Sequence, residues 1–281
     1  MTQALISKYF DTDKLFKKDG IWYSKENQNV SYPKEGNAVC FELEAKSYWF
    51  HHRNKVILHF FKKYSTGSFL LDIGGGNGLT SAYLQDQGVD VILLEPGVHG
   101  VKNAQQRGLN QIVCSTLDCS GIKLDVLPAV GFFDVLEHIK DDDEFLKKVK
   151  QAVMPGGIIY LTVPAFNMLW SEEDIDAGHF RRYTLGSIER QLSSIGFNVV
   201  YSNYFFFLLP IPIFLMRTLP TLLKINKQKS THQRAGDDHG VNGGLGASFL
   251  AYLLKIEFWL IKRGLNSKLG SSCFIIAKRS S

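Results

Sequence analysis

Phe69-Leu70-Leu71-Asp72-Ile73-Gly74-Gly75-Gly76-Asn77-Gly78 carries an apolar run into a glycine-dense turn. Val91-Ile92-Leu93-Leu94-Glu95 then ends a second apolar run on a carboxylate, 21 residues after Gly74. Together they read as strand, ligand-binding loop, helix, strand and acid, the opening unit of a parallel α/β sheet. Glycines let the backbone adopt positive φ and approach a ligand closely. An acid ending the second strand can accept hydrogen bonds from both hydroxyls of a ribose. The plainer alternative is a tight turn with Glu95 in water.

The wording of the loop narrows the ligand. In the dinucleotide fingerprint a pyrophosphate rests on the helix N-terminus, which favours anions. Here Asp72 places a negative charge at the mouth of that site. Such a charge suits an ammonium or sulfonium better than a pyrophosphate. No Gly-Lys-Ser/Thr follows, which excludes a P-loop.

Patterning outward from this unit predicts helices over about Leu79–Gln87 and Val98–Arg107, and strands over Val89–Leu94 and Gln111–Cys114. A fourth strand, Val126–Phe132, leads into Phe133-Asp134. A helix over Asp141–Ala152 is capped by an Asp run and stopped by Pro155-Gly156-Gly157. Ile158–Val163 is β-branched and reads as a fifth strand. The helix Leu185–Ile195, a sixth strand from Phe197 towards Tyr204 and a last strand over Cys273–Ala277 complete the pattern. The expected fold is α/β: a doubly wound, seven-stranded, mostly parallel sheet. Residues 1–60 read as an N-terminal cap, partly helical, and 61–206 as the ligand-binding core. Residues 207–268 read as a helical insertion and 269–281 as the final core strand.

Composition agrees with an enzyme of one large core plus an appendage: 281 residues, 45% hydrophobic. Cys40, Cys114, Cys119 and Cys273 form no CxxC pair, and no signal-peptide pattern opens the chain. Both point to a reduced, cytoplasmic protein without structural zinc.

These residues resemble the class I S-adenosylmethionine-dependent methyltransferases. Asp72–Gly78 resembles their motif I, Glu95 their ribose-binding acid, Phe133-Asp134-Val135-Leu136-Glu137-His138-Ile139 their motif after strand four, and Met154-Pro155-Gly156-Gly157 their turn before strand five. The resemblance covers about residues 55–205. It implies S-adenosyl-L-methionine as cofactor, with its methionine moiety held by backbone around Gly74, Gly76 and Asn77 and its amino group near Asp72. Glu95 would bind the ribose, Pro96 would line the adenine pocket, and Thr116-Leu117 would edge the ring. Many members have an Asp where Thr116 stands. Phe133 and Asp134 complete the cofactor set, and Arg53 is a partner for the methionine carboxylate. A solvated helix face is the competing reading of His51-His52-Arg53.

The acceptor should lie beyond the carboxyl ends of strands four to six. There Trp170–Tyr183 packs four acids, His179, Arg181, Arg182 and Tyr183 into 14 residues. His179 is the candidate base, with His138 and Tyr183 as further catalytic candidates and Arg181 or Arg182 as anion binders. An ion-pair-laced loop with Tyr183 packed inward is the structural alternative. Asp134, Glu137 and His138 stand at i, i+3 and i+4, which on one helical face is metal-ligand spacing, and His179 is the candidate fourth ligand. The resemblance extends to a divalent-metal version of this motif in some quinone-biosynthetic and RNA-end methyltransferases. The reading adopted leaves the site without a metal.

Asn-Pro-Pro-Tyr and a Lys-Asp-Lys-Glu series are absent, and basic residues do not interleave with aromatics as a nucleic-acid groove. The acceptor expected is a small or lipid-like metabolite, methylated at oxygen. A catalytically silent cofactor-binding partner protein and a Rossmann oxidoreductase are the alternatives. In the insertion, Phe205–Met216 is apolar and broken by Pro210 and Pro212, too short to span a bilayer. Arg217, Lys224, Lys227, Lys229 and Arg234 follow it with no acid until Asp237, and a second apolar helix covers about Ala247–Ile261. This segment reads as a lid or sealing pair of helices, with peripheral membrane contact through 205–234 as the other possibility. Gly236–Gly246 reads as a mobile link. The oligomeric state stays open.

Overall fold

The computed structural model describes residues 2–26, 41, 44, 46–224 and 245–280. Nine strands lie among them: β1 (Leu15–Lys18), β2 (Ile21–Ser24), β3 (Phe69–Ile73), β4 (Asp90–Leu94), β5 (Ile112–Cys114), β6 (Leu127–Phe133), β7 (Val153–Pro164), β8 (Phe197–Phe205) and β9 (Ser272–Arg279). They form one sheet in the order β1-β2-β5-β4-β3-β6-β7-β9-β8. The pairings from β2 through β7 are parallel, and β1, β8 and β9 join antiparallel.

Alternation along the strands explains why the sheet is buried on both sides. Leu71, Ile92, Leu161 and Ile275 enter one apolar cluster, beneath the helices Asp142–Ala152 and Leu185–Ile195. Their neighbours Leu70, Val91, Tyr160 and Phe274 enter another, beneath the helices Tyr48–Tyr64 and Leu245–Lys262. Helices on both faces are what a parallel sheet requires, because each face presents side chains at a period of two.

The sheet has nine strands rather than seven, and the N-terminal segment is not a helical cap alone. Thr2–Tyr9 is helical, but β1 and β2 form a hairpin that extends the sheet beyond β5. Its turn is Asp19-Gly20, both at positive φ (49° and 85°), the pair that a two-residue hairpin turn demands. A second difference lies at Pro155-Gly156-Gly157. The preceding helix ends at Ala152, and β7 begins at Val153, so the three residues sit inside the strand. Register against β6 shifts there, between Leu127 and Ala129, and Gly156 takes φ 76°.

The described part of the insertion is mostly helical: Pro210–Ile213, a π turn at Phe214–Thr218, Leu219–Leu222, and the long helix Leu245–Lys262. Lys227, Lys229, Arg234 and most of the glycine-rich link lie outside the described residues, as does Cys40.

Candidate active site

β3, β4 and β6 end side by side, and the turns that follow them build the site. After β3, Gly74 and Gly76 take φ of 70° and 55°, a region costly for any residue with a Cβ. Gly74 donates to the Leu94 carbonyl at 2.7 Å, stitching the loop to the end of β4. A Cβ on Gly75 would stand 2.6 Å from Asp72 Oδ2, whereas one on Gly76 would meet nothing within 4 Å. The loop is therefore packed on its inner side and open at Gly76.

Two carboxyls face this loop. Asp72 is fully buried; Ser81 Oγ donates to its Oδ2 at 2.6 Å, and Oδ1 has no hydrogen-bond partner. Burial raises its pKa to about 6, against the opposing pull of Ser81 and Arg53. Glu95 accepts from Gly76 N–H at 3.0 Å and from Gly97 N–H at 2.7 Å. Burial still raises it to about 7. An orphaned buried carboxylate oxygen is costly alone and calls for a cationic donor. The ammonium of a methionine moiety is such a donor, so these residues fit S-adenosylmethionine.

Asn77 is clamped rather than free: it donates to Glu44 Oε1 (3.0 Å), accepts from Asn103 (2.8 Å), and its carbonyl takes Arg107 Nε (3.0 Å). Pro96 and Thr116 lie after β4 and β5, and Cys114 Sγ reaches the Pro96 carbonyl at 3.7 Å, joining the two turns. The Thr116 hydroxyl accepts from Cys119 N–H at 3.4 Å, and the Leu117 carbonyl from Ser120 at 2.8 Å. Phe133 ends β6 with its side chain in the core.

Arg53 does not lie on a solvated face. It is buried with His52, pairs with Asp134, and donates to Thr80 Oγ1 at 2.9 Å. Its guanidinium lies over Trp49 and Phe50, 4.8 and 5.0 Å from the ring centres. The helix Tyr48–Tyr64 thereby grips both the donor loop's helix, through Thr80, and the turn after β6. His52 Nε2 stands 2.7 Å from Glu257 Oε2, with both residues buried, and Glu257 Oε1 accepts from Phe207 N–H at 2.7 Å.

The turn after β6 is not the helix that i, i+3, i+4 spacing implies. Asp134 takes φ 56°, and only a 3-10 turn, Leu136–His138, follows. Asp134 accordingly turns to Arg53, while Glu137 and His138 meet His179 instead. One candidate ligand atom from each of these three lies within 4.8 Å of the others. Burial, then the nearby Asp134 charge, holds the Glu137 carboxyl well above its usual range. Burial and the neighbouring His179 lower His138 to about 4. The His138 and His179 rings meet edge to face at 4.7 Å. A buried carboxyl with two imidazoles is a donor set that fits a divalent cation.

Asp174 organises the next segment. It accepts from His179 Nδ1 at 2.8 Å, from Arg182 through Nε and Nη2 at 2.8 and 3.0 Å, and from Ser171 N–H at 2.9 Å. Burial pushes its pKa up, but these donors outweigh it and hold it at about 2. Four acids in five residues hid its role in the sequence. The distinguishing signal is Ser171-x-x-Asp174, a capping box that turns this acid inward. Arg182 is thus committed to Asp174, and Arg181 to Asp142 (2.7 Å) and the Lys140 carbonyl (2.6 Å). Tyr183 is buried and donates to Asp142 at 2.8 Å, a packing contact beneath the site.

The two halves adjoin: a Cβ on Gly74 would touch Val135 at 2.9 Å, so the donor loop rests on the turn carrying Glu137 and His138. A doubly wound sheet with an open glycine loop, an orphaned acid behind it and a second acid ending the next strand defines a class I S-adenosylmethionine-dependent methyltransferase. A methyltransferase-domain family profile matches residues 48–202, and the chain belongs to that family. The family match sets aside the oxidoreductase reading. The chain is 30% identical over 105 residues to the human mitochondrial ubiquinone biosynthesis O-methyltransferase, covering 34% of this chain and 28% of that one. With the ubiquinone biosynthesis O-methyltransferase of Idiomarina loihiensis it shares 28% over 156 residues, covering 50% and 63%. The chain thus spans less than two thirds of either relative. Haemonchus contortus phosphoethanolamine N-methyltransferase 2, solved with S-adenosyl-L-methionine, shares the fold at TM-score 0.51 and 20% identity, over 82% of this chain and 52% of that one.

Proposed function

We propose that the enzyme methylates a hydroxyl oxygen of a small, lipid-like metabolite, with His179 as the base. The observation that carries this is the His179–Asp174 pair, set against the His138 ring on the turn on which the donor loop rests. Asp174, ionised and acceptor-only, fixes the proton on Nδ1 and leaves Nε2 as the acceptor. A hydroxyl needs such a base because its oxygen becomes a competent nucleophile only as its proton leaves. When bound, S-adenosylmethionine supplies an electrophilic methyl group on a sulfonium. Asp72 and the Gly74–Gly76 backbone would hold its methionine end, Glu95 its ribose, and Pro96, Thr116 and Leu117 its adenine. Similarity to ubiquinone biosynthesis O-methyltransferases supports oxygen as the acceptor atom. The cytoplasm is the proposed compartment, supported by Cys119 and Cys273, which form no disulfide among the described residues.

Radiolabelled methyl transfer to a panel of hydroxylated, apolar-tailed acceptors tests the reading. His179→Ala is expected to lower kcat at least about 100-fold while calorimetric binding of S-adenosylmethionine is retained. Undiminished turnover in that variant would remove the base.

A second reading rests on the Glu137, His138 and His179 cluster. These three residues would hold a divalent cation against the acceptor oxygen and lower its pKa, and His179 would then act as a ligand. Turnover abolished by a chelator and restored by Mg²⁺ or Zn²⁺ selects this version; turnover indifferent to chelation selects the base.

A further inference from the structure

The insertion shows two faces of opposite character. Inward, Leu209, Ile213, Leu254 and Ile261 join the cluster around the helix Tyr48–Tyr64. Outward, Ile211, Leu215 and Leu222 follow one another at spacings of four and seven, a single stripe on a helix, with Met216 and Leu223 beside it. All five are exposed, from 55% to 70%. On the long helix, Tyr252, Ile256 and Trp259 form a second exposed stripe, which ends at Arg263 with its guanidinium 4.0 Å from the Trp259 ring centre. Isolated exposed apolar residues need no explanation, but two exposed stripes within one insertion do.

Charge says what covers them. Residues 206–271 hold nine Lys and Arg against three acids, a balance of +6, so the remainder of the +5 chain is close to neutral. One of those acids, Glu257, is buried against His52. Lys224, Lys255, Lys262 and Arg263 are exposed at the borders of the stripes. Apolar side chains flanked by cations, with a Tyr and a Trp among them, match an anionic bilayer surface. Among the described residues no helix is long and apolar enough to cross a membrane, so contact would be from one side.

The surface also leads to the site. The Phe214–Thr218 turn packs on Asn167–Leu169 and on the short helix Glu172–Asp176, and Glu172 N–H donates to Thr221 Oγ1 at 3.2 Å. Met168 and Ile175, on those two elements, are themselves exposed. The apolar face therefore continues onto the segment that holds Asp174.

We propose that residues 205–224 and 250–269 form a docking surface for an anionic lipid bilayer, placing the mouth of the site at the headgroup layer. The proposal does not depend on which acceptor is methylated.

Flotation of the full chain with vesicles tests it. Binding is expected to phosphatidylcholine vesicles containing a quarter phosphatidylglycerol, and at least tenfold less to phosphatidylcholine alone. Leu215→Glu with Leu222→Glu, and separately Trp259→Glu, should abolish flotation while leaving S-adenosylmethionine affinity unchanged, which shows that the variants are folded. Lys224→Gln and Lys255→Gln should each weaken binding about fivefold. Failure of the wild type to float with anionic vesicles overturns the proposal, as does flotation of the Glu variants at the wild-type level. A wild-type dimer in sedimentation velocity that the same variants split, without vesicle binding, would assign the face to a second copy instead.

Discussion

Asp72 is a carboxyl taken wholly out of water with one side-chain donor, Ser81, for two oxygens. Its pKa stands at about 6 in place of 3.8, and that of Glu95 at about 7 in place of 4.5. Both are raised, so the folded chain holds these protons more tightly than the unfolded one. Their contribution to stability is therefore complete below about pH 4 and is lost as pH rises through 6 to 7. The ligand-free protein should melt at a lower temperature at pH 7.5 than at pH 5, and Asp72→Asn should flatten that dependence in calorimetric scans. Ligand affinity runs the other way. An ammonium needs Asp72 ionised, so S-adenosylmethionine should bind about tenfold more weakly at pH 5 than at pH 7, measured by titration calorimetry. Affinity unchanged between the two would detach Asp72 from the amino group.

Among the elements, the helix Tyr48–Tyr64 links the donor side of the site to the insertion. Arg53 ties it to Asp134 and Thr80, and one residue earlier His52 ties it to Glu257 of the insertion. Glu257→Ala strands the Phe207 N–H and leaves His52 facing no carboxylate. A loss of about 3 kcal/mol in denaturant unfolding is expected, and Glu257→Gln, which keeps an acceptor for Phe207, should lose less. None of these links was legible in the sequence, because Asp134 and Glu257 lie 81 and 205 residues from their partners, beyond the reach of any local pattern. What could be read was local: the β/α alternation from Phe69 to Phe205, the cap at Asp141 and the apolar insertion all follow from period and turn chemistry. The hairpin was also locally encoded, in Asp19-Gly20. Its signal is weak because its strands are four residues long and Lys17-Lys18 breaks the alternation of β1. In the candidate site, the donor loop could be read from glycines and acids at fixed spacing. The acceptor side could not, since the choice among Glu172, Glu173, Asp174 and Asp176 depends on which one folds inward.

For the molecule as a whole, the order β7-β9-β8 places β8 at the sheet edge, with β9 as its one strand neighbour among the described residues. Native-state hydrogen exchange should show β8 and β9 opening as one unit, at a lower free energy than β3 and β6, which lie deeper in the parallel sheet. Protection of β8 that outlasts that of β9 would contradict this. The same order sets a sequence of events in folding. β8 is made before β9, and 66 residues separate Phe205 from Ser272. Closing a loop of that length costs about 4 kcal/mol of chain entropy before any ladder bond between the two strands repays it. Until it closes, the inward faces of both insertion helices are as bare as the outward ones. The newly made chain thus passes through a stage in which its stickiest segment is least sheltered, so the yield of native protein depends on how that interval is spent.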